Sequence, residues 1–396
     1  MQKEQLDSVI TNPGISIKGK TADKKLNEEI PNKCLRREKQ LSKWHIVPNI
    51  INRQIDSSLF QRKYYDSLNA VKRLKLWNFI DEESLITSLN FNERGNLLAS
   101  VYGTKISIWN WAVEKRSHLC DITRFVDSDF YSNLSTIYTV KNTKWLPLDM
   151  ESLMIASYNN GEIWLINLET KQWTFLGPER DVSQEHEIST AFSVHSETPY
   201  MILVGNKNGQ VFSMDIRNGA IRELLTVKED LIGMHLLNID LNPYNSNEFC
   251  ITGFSRYVRV YDRRNVSMPL LKLCPNSMTN QYITFVYAMY NYNGTEILTL
   301  IDMENIYLFD KLTSSNCEAH KYQDSSITTF VPQVKFFGSK SEYVMCISQC
   351  GGIFIWDKNT KVLVKRMTGN RHNRLEVHPH LPVFVTAEKG ICIWHP

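Results

Sequence analysis

The chain has 396 residues, of which 42% are hydrophobic, 22% charged and 11% aromatic. This composition is typical of a folded protein and excludes a wholly disordered chain. Residues 1–40 carry nine basic and six acidic side chains, which accounts for the entire net charge of +3, so the rest of the chain carries 36 of each sign. A body without net charge argues against a general nucleic-acid binder, which needs a positive excess to neutralise phosphates.

The sequence gives no sign of export or of a membrane span. No apolar run approaches the ~18 residues that a spanning helix needs, and the start, Met1-Gln2-Lys3-Glu4, lacks the apolar core of a signal peptide. The eight cysteines are scattered and form no Cys-x-x-Cys pair. In a chain this long they are typical of reduced, buried thiols. We therefore expect an intracellular protein of the nucleus, the cytoplasm or both, with no membrane partner.

The first 41 residues are predicted to form a disordered polar tail. They contain two prolines and two glycines and few large apolar side chains, so they cannot bury enough surface to fold. A basic stretch, Lys33–Lys39, lies near the end of this tail. It is open to two interpretations, a nuclear import signal or an ordinary solvated segment.

Residues 42–69 are predicted to be helical. Pro48 can begin a helix at its first position, and Ser57 or Ser58 can cap a second helix after a break. The apolar side chains at helical spacing are Ile50, Ile51, Ile55, Leu59, Phe60, Tyr64 and Leu68. This stripe can pack on the domain that follows or can enter the groove of a partner, and both interpretations stay open.

One pattern recurs through the rest of the chain. It is a run of alternating apolar residues that ends in an aromatic or apolar residue, usually followed by Asp or Asn. The seven endings are Trp109-Asn110, Ile166-Asn167, Met214-Asp215, Tyr261-Asp262, Phe309-Asp310, Trp356-Asp357 and Trp394-His395. They lie 57, 48, 47, 48, 47 and 38 residues apart, close to the ~40–45-residue period of a WD-repeat blade. Four-stranded sheets that cannot cover their own faces stack radially into a ring. The sequence therefore predicts an all-β fold, a seven-bladed WD-repeat β-propeller over residues 70–396 with a short N-terminal helical extension.

The final blade lacks a fourth strand of its own, because the chain stops at Pro396, directly after the last ending. Residues 70–79 alternate in the same way and precede the first blade. We expect this segment to pair onto the final blade and close the ring. Closure would also remove an exposed sheet edge.

Two neighbouring repeats end in Asp-x-Arg, at Asp215 and Arg217 and at Asp262 and Arg264. A residue just past the third strand of a blade lies at one rim of the ring. There a guanidinium can donate to a carboxylate or carbonyl of a partner. The alternative is an arginine that covers its own blade or pairs within its turn, and spacing alone leaves both open.

Several stretches resemble the cullin-4-associated factor 8 family of WD-repeat proteins, in the same order from about residue 43 to the end. The stretches are Asn90–Ser100, Arg256–Arg264, Gly294–Leu298, Asn305–Phe309, Gln333–Val344, Gly351–Trp356 and Leu375–Val383. The last three are the most specific. The final blade is shortened around Ala387–Gly390, so the chain looks like a diverged member of that family.

The resemblance implies a substrate-recognition subunit of a cullin-4 RING ubiquitin ligase. Such receptors use an N-terminal helical element and Asp-x-Arg rims to dock on the damaged-DNA-binding adaptor protein. Carried over by position, Arg217 and Arg264 would be the docking arginines, and Asp215 and Asp262 would orient them. The segment 42–69 would enter the adaptor's cleft, and an unknown protein substrate would occupy the opposite rim or the top loops.

The sequence lacks the common motifs of catalysis and metal binding. The sequence contains no Gly-rich phosphate loop, no His-Glu-x-x-His and no nucleophile elbow. The pair His378 and His380 has no third ligand nearby, which favours a turn or packing role, and Cys346 and Cys350 span a strand and its turn, a poor ligand geometry. We therefore expect no catalysis, metal or cofactor. The remaining alternative is a non-catalytic scaffold, or a histone- or chromatin-binding propeller that has lost ligase association.

Overall fold

The computed structural model describes residues 67–396, and all of them belong to the unit Arg62–Pro396. The segments not described within this range are 83–84, 114–117, 124–138, 148–149, 177–188, 230–231, 277–283, 302–304, 313–318, 325–332, 349–350 and 370. The predicted tail 1–41 lies outside the described residues. So do Ile50, Ile51, Ile55, Leu59, Phe60 and Tyr64 of the predicted helical segment.

The described chain starts with one short helix and continues in strands, numbered here in chain order. Helix α1 (Leu68–Arg73) is followed by strand β1 (Lys75–Asp81). Blade 1 has β2 (Ser88–Phe91), β3 (Leu98–Tyr102), β4 (Lys105–Trp109) and β5 (His118–Thr123). Blade 2 has β6 (Val140–Trp145), β7 (Leu153–Tyr158), β8 (Ile163–Asn167) and β9 (Gln172–Leu176). Blade 3 has β10 (Ser189–His195), β11 (Thr198–Asn206), β12 (Gln210–Asp215) and β13 (Ile221–Thr226).

Four further blades follow a small ribbon, β14 (Lys228–Glu229) and β15 (Ile232–Gly233). Blade 4 has β16 (Leu236–Leu241), β17 (Glu248–Gly253), β18 (Val258–Asp262) and β19 (Leu271–Leu273). Blade 5 has β20 (Phe285–Tyr290), β21 (Glu296–Ile301), β22 (Ile306–Asp310) and β23 (Ala319–Tyr322). Blade 6 has β24 (Gln333–Phe337), β25 (Tyr343–Ile347), β26 (Gly352–Asp357) and β27 (Leu363–Thr368). Blade 7 has β28 (Arg374–Val377), β29 (Phe384–Ala387) and β30 (Gly390–His395).

Blade 7 is completed by the strand that precedes blade 1. Its sheet has the order β1-β30-β29-β28, and the antiparallel register pairs Lys75 with His395 and Asp81 with Gly390. The described residues thus form seven four-stranded antiparallel sheets, and the predicted seven-bladed propeller is confirmed. Because β1 covers β30, the last strand of the chain is not left as a free edge.

The closing strand lies later in the chain than residues 70–79, where the sequence analysis expected it. Residues 68–73 form α1 instead, because Ser67 is an N-cap whose Oγ accepts a hydrogen bond from the Ala70 N–H at 3.4 Å. Val71 and Leu74 follow at helical spacing, and both are buried in the core between blades 6 and 7. No helix among the described residues is long and apolar enough to span a membrane.

Apolar side chains hold neighbouring blades together. In the described residues, seven clusters of buried side chains each join two adjacent blades around the ring. Between blades 6 and 7, for example, Phe337 packs edge-on against Phe384, which stacks on Trp394. Burying a large apolar side chain contributes about 1.5–3 kcal/mol, so each blade is stabilised chiefly by its neighbours.

The strand directions define two rims. First strands of neighbouring blades contact one another and line the axis. Each third strand runs parallel to the first strand of its blade, so it ends at the rim that carries the turns between first and second strands. We call this the Asp-x-Arg rim. Because Lys75 pairs with His395, β1 also starts at this rim. The turns between second and third strands and the β14–β15 ribbon lie at the other end, called here the opposite rim.

The turn between β28 and β29 bonds blade 7 to blade 1 through His378. Its Nε2–H donates to the Gly95 carbonyl at 2.9 Å, and its Nδ1 accepts from the backbone N–H groups of His380 and Leu381 at 3.0 and 2.9 Å. Backbone groups therefore occupy both ring nitrogens, as expected for a turn role. Among the described residues, no group of three or more His, Cys, Asp or Glu side chains is placed to hold a metal ion.

We expect His378 to make the fold sensitive to acid. Burial lowers the pKa of His378 from its ordinary value of 6.5 to about 4. A proton on Nδ1 would also face the two N–H groups that donate to this nitrogen. The stability that the neutral ring contributes is thus present above pH 6.5 and falls as the pH drops toward 4. The free energy of unfolding should be lower at pH 5 than at pH 7 by about 2 kcal/mol from this residue.

The measurement is urea denaturation at both pH values. The matched variant His378→Asn removes the titrating group. Its loss of stability between pH 7 and pH 5 should therefore be smaller than that of the unmodified chain, and an equal loss would show that His378 is not the source.

Candidate interaction surface

The Asp that ends a repeat caps the turn after its strand. In blade 3, Asp215 Oδ1 accepts a hydrogen bond from the Arg217 N–H at 3.0 Å, and in blade 4 Asp262 Oδ1 accepts from the Arg264 N–H at 2.9 Å. The same bond recurs in blades 5 and 6. This Asx turn explains why Asp or Asn marks the end of the repeat, and it sets the residue two positions later on the Asp-x-Arg rim.

In blades 3 and 4 the residue at that position is an arginine that turns back onto its own aspartate. Arg217 donates from Nε to Asp215 Oδ1 at 3.0 Å and from Nη2 to Oδ2 at 2.7 Å. Arg264 makes the same two bonds with Asp262, at 3.0 and 2.6 Å. The sequence analysis left open pairing within the turn, and the structure has this pairing. The arginines are nevertheless 62% and 69% exposed.

These ion pairs keep their charge at physiological pH. The hydrogen bonds from Arg217 lower the pKa of Asp215 to about 2, and those from Arg264 lower the pKa of Asp262. Two donor atoms of each guanidinium bond the aspartate, and the other donors have no partner among the described residues. Each turn therefore presents an oriented guanidinium edge to an acceptor on a partner.

An aromatic ring and a neighbouring turn support the two arginines. The Arg217 guanidinium lies over the Tyr200 ring, 4.7 Å from its centroid, a favourable cation–π geometry. In blade 4, Arg263 Nε donates to Asn247 Oδ1 at 3.1 Å and so holds the turn that carries Arg264. The sequence does not reveal either support, because the partners are 16 or 17 residues away.

Hydrogen bonds between blades stiffen this rim. The His195 Nε2–H of blade 3 donates to the Asn242 carbonyl of blade 4 at 2.9 Å, and Asn242 Nδ2 donates to the Gly294 carbonyl of blade 5 at 3.3 Å. Lys311 of blade 5 donates to Gly294 at 2.9 Å and pairs with Glu248 of blade 4. Blades 3, 4 and 5 therefore hold their rim turns in fixed relative positions, a form of preorganisation that favours binding.

Exposed apolar side chains lie on the same rim and were missed by the sequence analysis. Leu312 takes the arginine position in blade 5 and is 84% exposed, and Tyr244, Met268 and Tyr292 are also exposed on turns of blades 4 and 5. Tyr, Met and Arg are enriched at protein–protein interfaces. For Tyr244 and Tyr292, the sequence signal is an aromatic residue in a turn otherwise made of Asn, Pro and Gly.

Charged side chains line a cavity of about 420 Å³ on the axis, at the Asp-x-Arg end. Lys335 pairs with Glu376 there at 2.9 Å. Burial raises the pKa of Asp240 and lowers the pKa of Lys144. Burial opposes the charge of Lys335, but Glu376, Tyr287 and Asp240 together outweigh it and raise the pKa of that lysine. In the sequence, this cavity is marked only by a charged residue inside an apolar strand, as in Val334-Lys335-Phe336.

Comparisons with known proteins define the class of this chain. No family model matches it. A 73-residue stretch is 33% identical to WD and tetratricopeptide repeats protein 1 of Mus musculus and of Homo sapiens. That stretch is 17% of this chain and 11% of each relative, so the match spans about a tenth of the relatives' length.

A solved structure is similar over most of the chain. The β-propeller domain of Myceliophteria thermophila Cps50 (Swd1) superposes with a TM-score of 0.64 at 15% identity and covers 82% of this chain and 99% of that domain. At this identity the likeness concerns the fold alone. The chain is a seven-bladed β-propeller with local similarity to a WD-repeat protein, and this fold by itself does not fix a function.

Proposed function

We propose that this chain is the substrate-recognition subunit of a cullin-4 RING ubiquitin ligase. In this proposal the Asp-x-Arg rim docks on the damaged-DNA-binding adaptor protein through Arg217 and Arg264, which Asp215 and Asp262 orient. The segment 42–69 enters the adaptor's cleft, and a protein substrate binds elsewhere on the propeller. The complex would act inside the cell, in the nucleus, the cytoplasm or both.

The observation that carries the proposal is the pair of exposed guanidiniums on neighbouring blades of one rim. Each is held by two hydrogen bonds to its aspartate, and a hydrogen bond from His195 to the Asn242 carbonyl joins blades 3 and 4 at this rim. The chain also leads into β1 at this same rim, since Lys75 pairs with His395. A single partner could therefore contact both the arginines and the segment that precedes the propeller.

We expect Arg217→Ala combined with Arg264→Ala to abolish recovery of the adaptor. Arginines at the centre of an interface are frequent hot spots, so loss of both should weaken binding by about 100-fold or more. The measurement is co-purification of the adaptor with tagged full-length chain. The matched control, Arg222→Ala with Lys272→Ala, removes the same charge from exposed outer-strand positions of the same two blades and should keep the adaptor.

A milder variant separates orientation from contact. Asp215→Asn with Asp262→Asn retains an oxygen for the Asx turn but weakens the hold on each guanidinium, so adaptor recovery should fall only in part. Unchanged recovery from the double arginine variant would contradict the docking assignment. If the unmodified chain recovers no adaptor, the alternative of a scaffold or a histone- or chromatin-binding propeller takes its place.

A further inference from the structure

The opposite rim of blade 4 carries a second exposed surface. It combines exposed Ile232, on the β14–β15 ribbon, with exposed Phe254 and half-buried Arg256 and Tyr257 in the turn between β17 and β18, and with exposed Lys272 in β19. We call these five residues the ribbon surface. Ile232 is 74% exposed and Phe254 is 57% exposed. Two large apolar side chains exposed on the same rim point to an interaction site rather than to a solvated turn.

Close backbone packing holds the ribbon surface in place. A Cβ on Gly233 would lie 2.1 Å from the Asn208 carbonyl oxygen of blade 3, and a Cβ on Gly253 would lie 2.0 Å from the His235 carbonyl oxygen. Only glycine permits these approaches. The Phe254 N–H donates to the same His235 carbonyl at 2.9 Å, and its ring packs edge-on against the His235 ring. The exposed apolar groups are therefore displayed on a rigid support.

The ribbon surface also has an excess of positive charge. Three cationic groups surround the Tyr257 ring, with Arg256 at 5.2 Å, Arg259 at 5.9 Å and Lys272 at 6.0 Å from its centroid. Buried Arg259 is paired with Glu229 of the ribbon. Arg256 and Lys272 have no acidic partner among the described residues. Glu229 offsets one of the three cations, so among the described residues the surface retains positive charge and favours an anionic ligand.

We propose that the ribbon surface binds a short acidic segment of a partner protein that carries an apolar side chain. The apolar side chain would contact Ile232 and Phe254, and carboxylates on either side of it would pair with Arg256 and Lys272. This inference deepens the proposed function. It rests on that function only where it identifies the partner protein as the ligase substrate. The two rims would then hold adaptor and substrate at opposite ends of the ring.

The test is selection of random 12-residue peptides displayed on phage, using the full-length chain as target. Enriched peptides should carry Asp or Glu around at least one large apolar residue. Synthetic copies should bind at least about tenfold more weakly to Arg256→Glu with Lys272→Glu, because repulsion replaces attraction. Added salt should also weaken binding. Ile232→Ser should reduce affinity without changing the salt dependence.

The matched control is Arg222→Glu with Lys321→Glu, two exposed outer-strand positions of blades 3 and 5. It changes net charge equally and should bind the peptides normally. Failure to enrich any peptide, enrichment of neutral or basic peptides, or equal binding by the Arg256 and Lys272 variant would overturn the inference. Displacement of the peptides by a 12-nucleotide single-stranded RNA at lower concentration would overturn the protein assignment.

Adaptor recovery from the same variants separates this inference from the ligase proposal. The Arg217 and Arg264 double variant should lose the adaptor and keep the peptides, and the Arg256 and Lys272 variant should do the reverse. Peptide binding by a chain that recovers no adaptor would leave the ribbon surface intact and remove only the substrate role. Circular dichroism melting of each variant checks that the propeller is folded.

Discussion

A chain that lacks residues 1–81 is expected to lose its cooperative unfolding transition. Strand β1 pairs with β30 at six register positions, and Trp77 and Ile80 pack against the cluster between blades 7 and 1. At about 1 kcal/mol for each hydrogen bond, this loss is comparable to the total stability of about 5–15 kcal/mol. The uncovered β30 would also be free to pair with other chains. Thermal melting and size-exclusion chromatography measure both effects.

The matched truncation lacks residues 1–66 and keeps Ser67, α1 and β1. We expect it to elute like the full-length chain without added self-association and to unfold cooperatively, because the closing strand is intact. It should also recover less adaptor, since it lacks most of the segment 42–69, whereas a chain that lacks residues 1–40 should recover the normal amount. If the chain without residues 1–81 melts like the chain without residues 1–66, β1 does not close the ring in solution.

Replacing Lys335 by methionine is expected to lower the free energy of unfolding by about 3 kcal/mol. The Lys335 and Glu376 side chains are largely buried in the axial cavity, so the variant leaves a carboxylate without its partner. The neighbouring Glu376 raises the pKa of Lys335. The stability from this pair is therefore present below the ordinary lysine pKa of about 10.4 and is lost only at higher pH, so the effect should be equal at pH 6 and pH 8.

Urea denaturation measures this effect, and a second variant tests its cause. Lys335→Met combined with Glu376→Leu removes both charges and should recover most of the lost stability, because the cost lies in the unpaired carboxylate. If the double variant is as unstable as the two single losses added together, packing rather than charge pairing is responsible.

The repeat was readable because blades 2 to 6 share one local rule. Alternation ends in a residue that caps a turn, and the Asx bonds from Asp215 and Asp262 show why that residue is polar. The number of repeats, spaced about 47 residues apart, then gives the number of blades. The closing strand was predicted in kind, but its start was placed too early. The i, i+3 spacing of Val71 and Leu74 fits a helix rather than an alternating strand. The Ser67 cap was the deciding local signal.

Bonds between blades were not predictable, because they join residues far apart in the chain. Lys358 and Glu296 pair at 2.6 Å across 62 residues, and nothing in the sequence marks either as a partner. The ribbon between blades 3 and 4 was missed for another reason. Its strands are two residues long, too short to show alternation, and its place is fixed by glycines whose role depends on backbone from other turns.

The Asp-x-Arg motif predicted part of the candidate interaction surface. It located Arg217 and Arg264 on one rim, and it left open whether they pair within their turns. The structure has that pairing and leaves the arginines exposed. The exposed Leu312 and Tyr244 nearby carry no motif, because their exposure depends on the positions of turns from different blades. The adaptor and the substrate remain predictions.

Closure by β1 has a consequence for synthesis. The register partners Lys75 and His395 are 320 residues apart in the sequence. At translation rates of about 5–20 residues per second, β1 leaves the ribosome roughly 15 to 65 s before its partner. During that interval the nascent chain holds a strand without its partner, so chaperone binding to β1 would protect this strand until β30 has been synthesised.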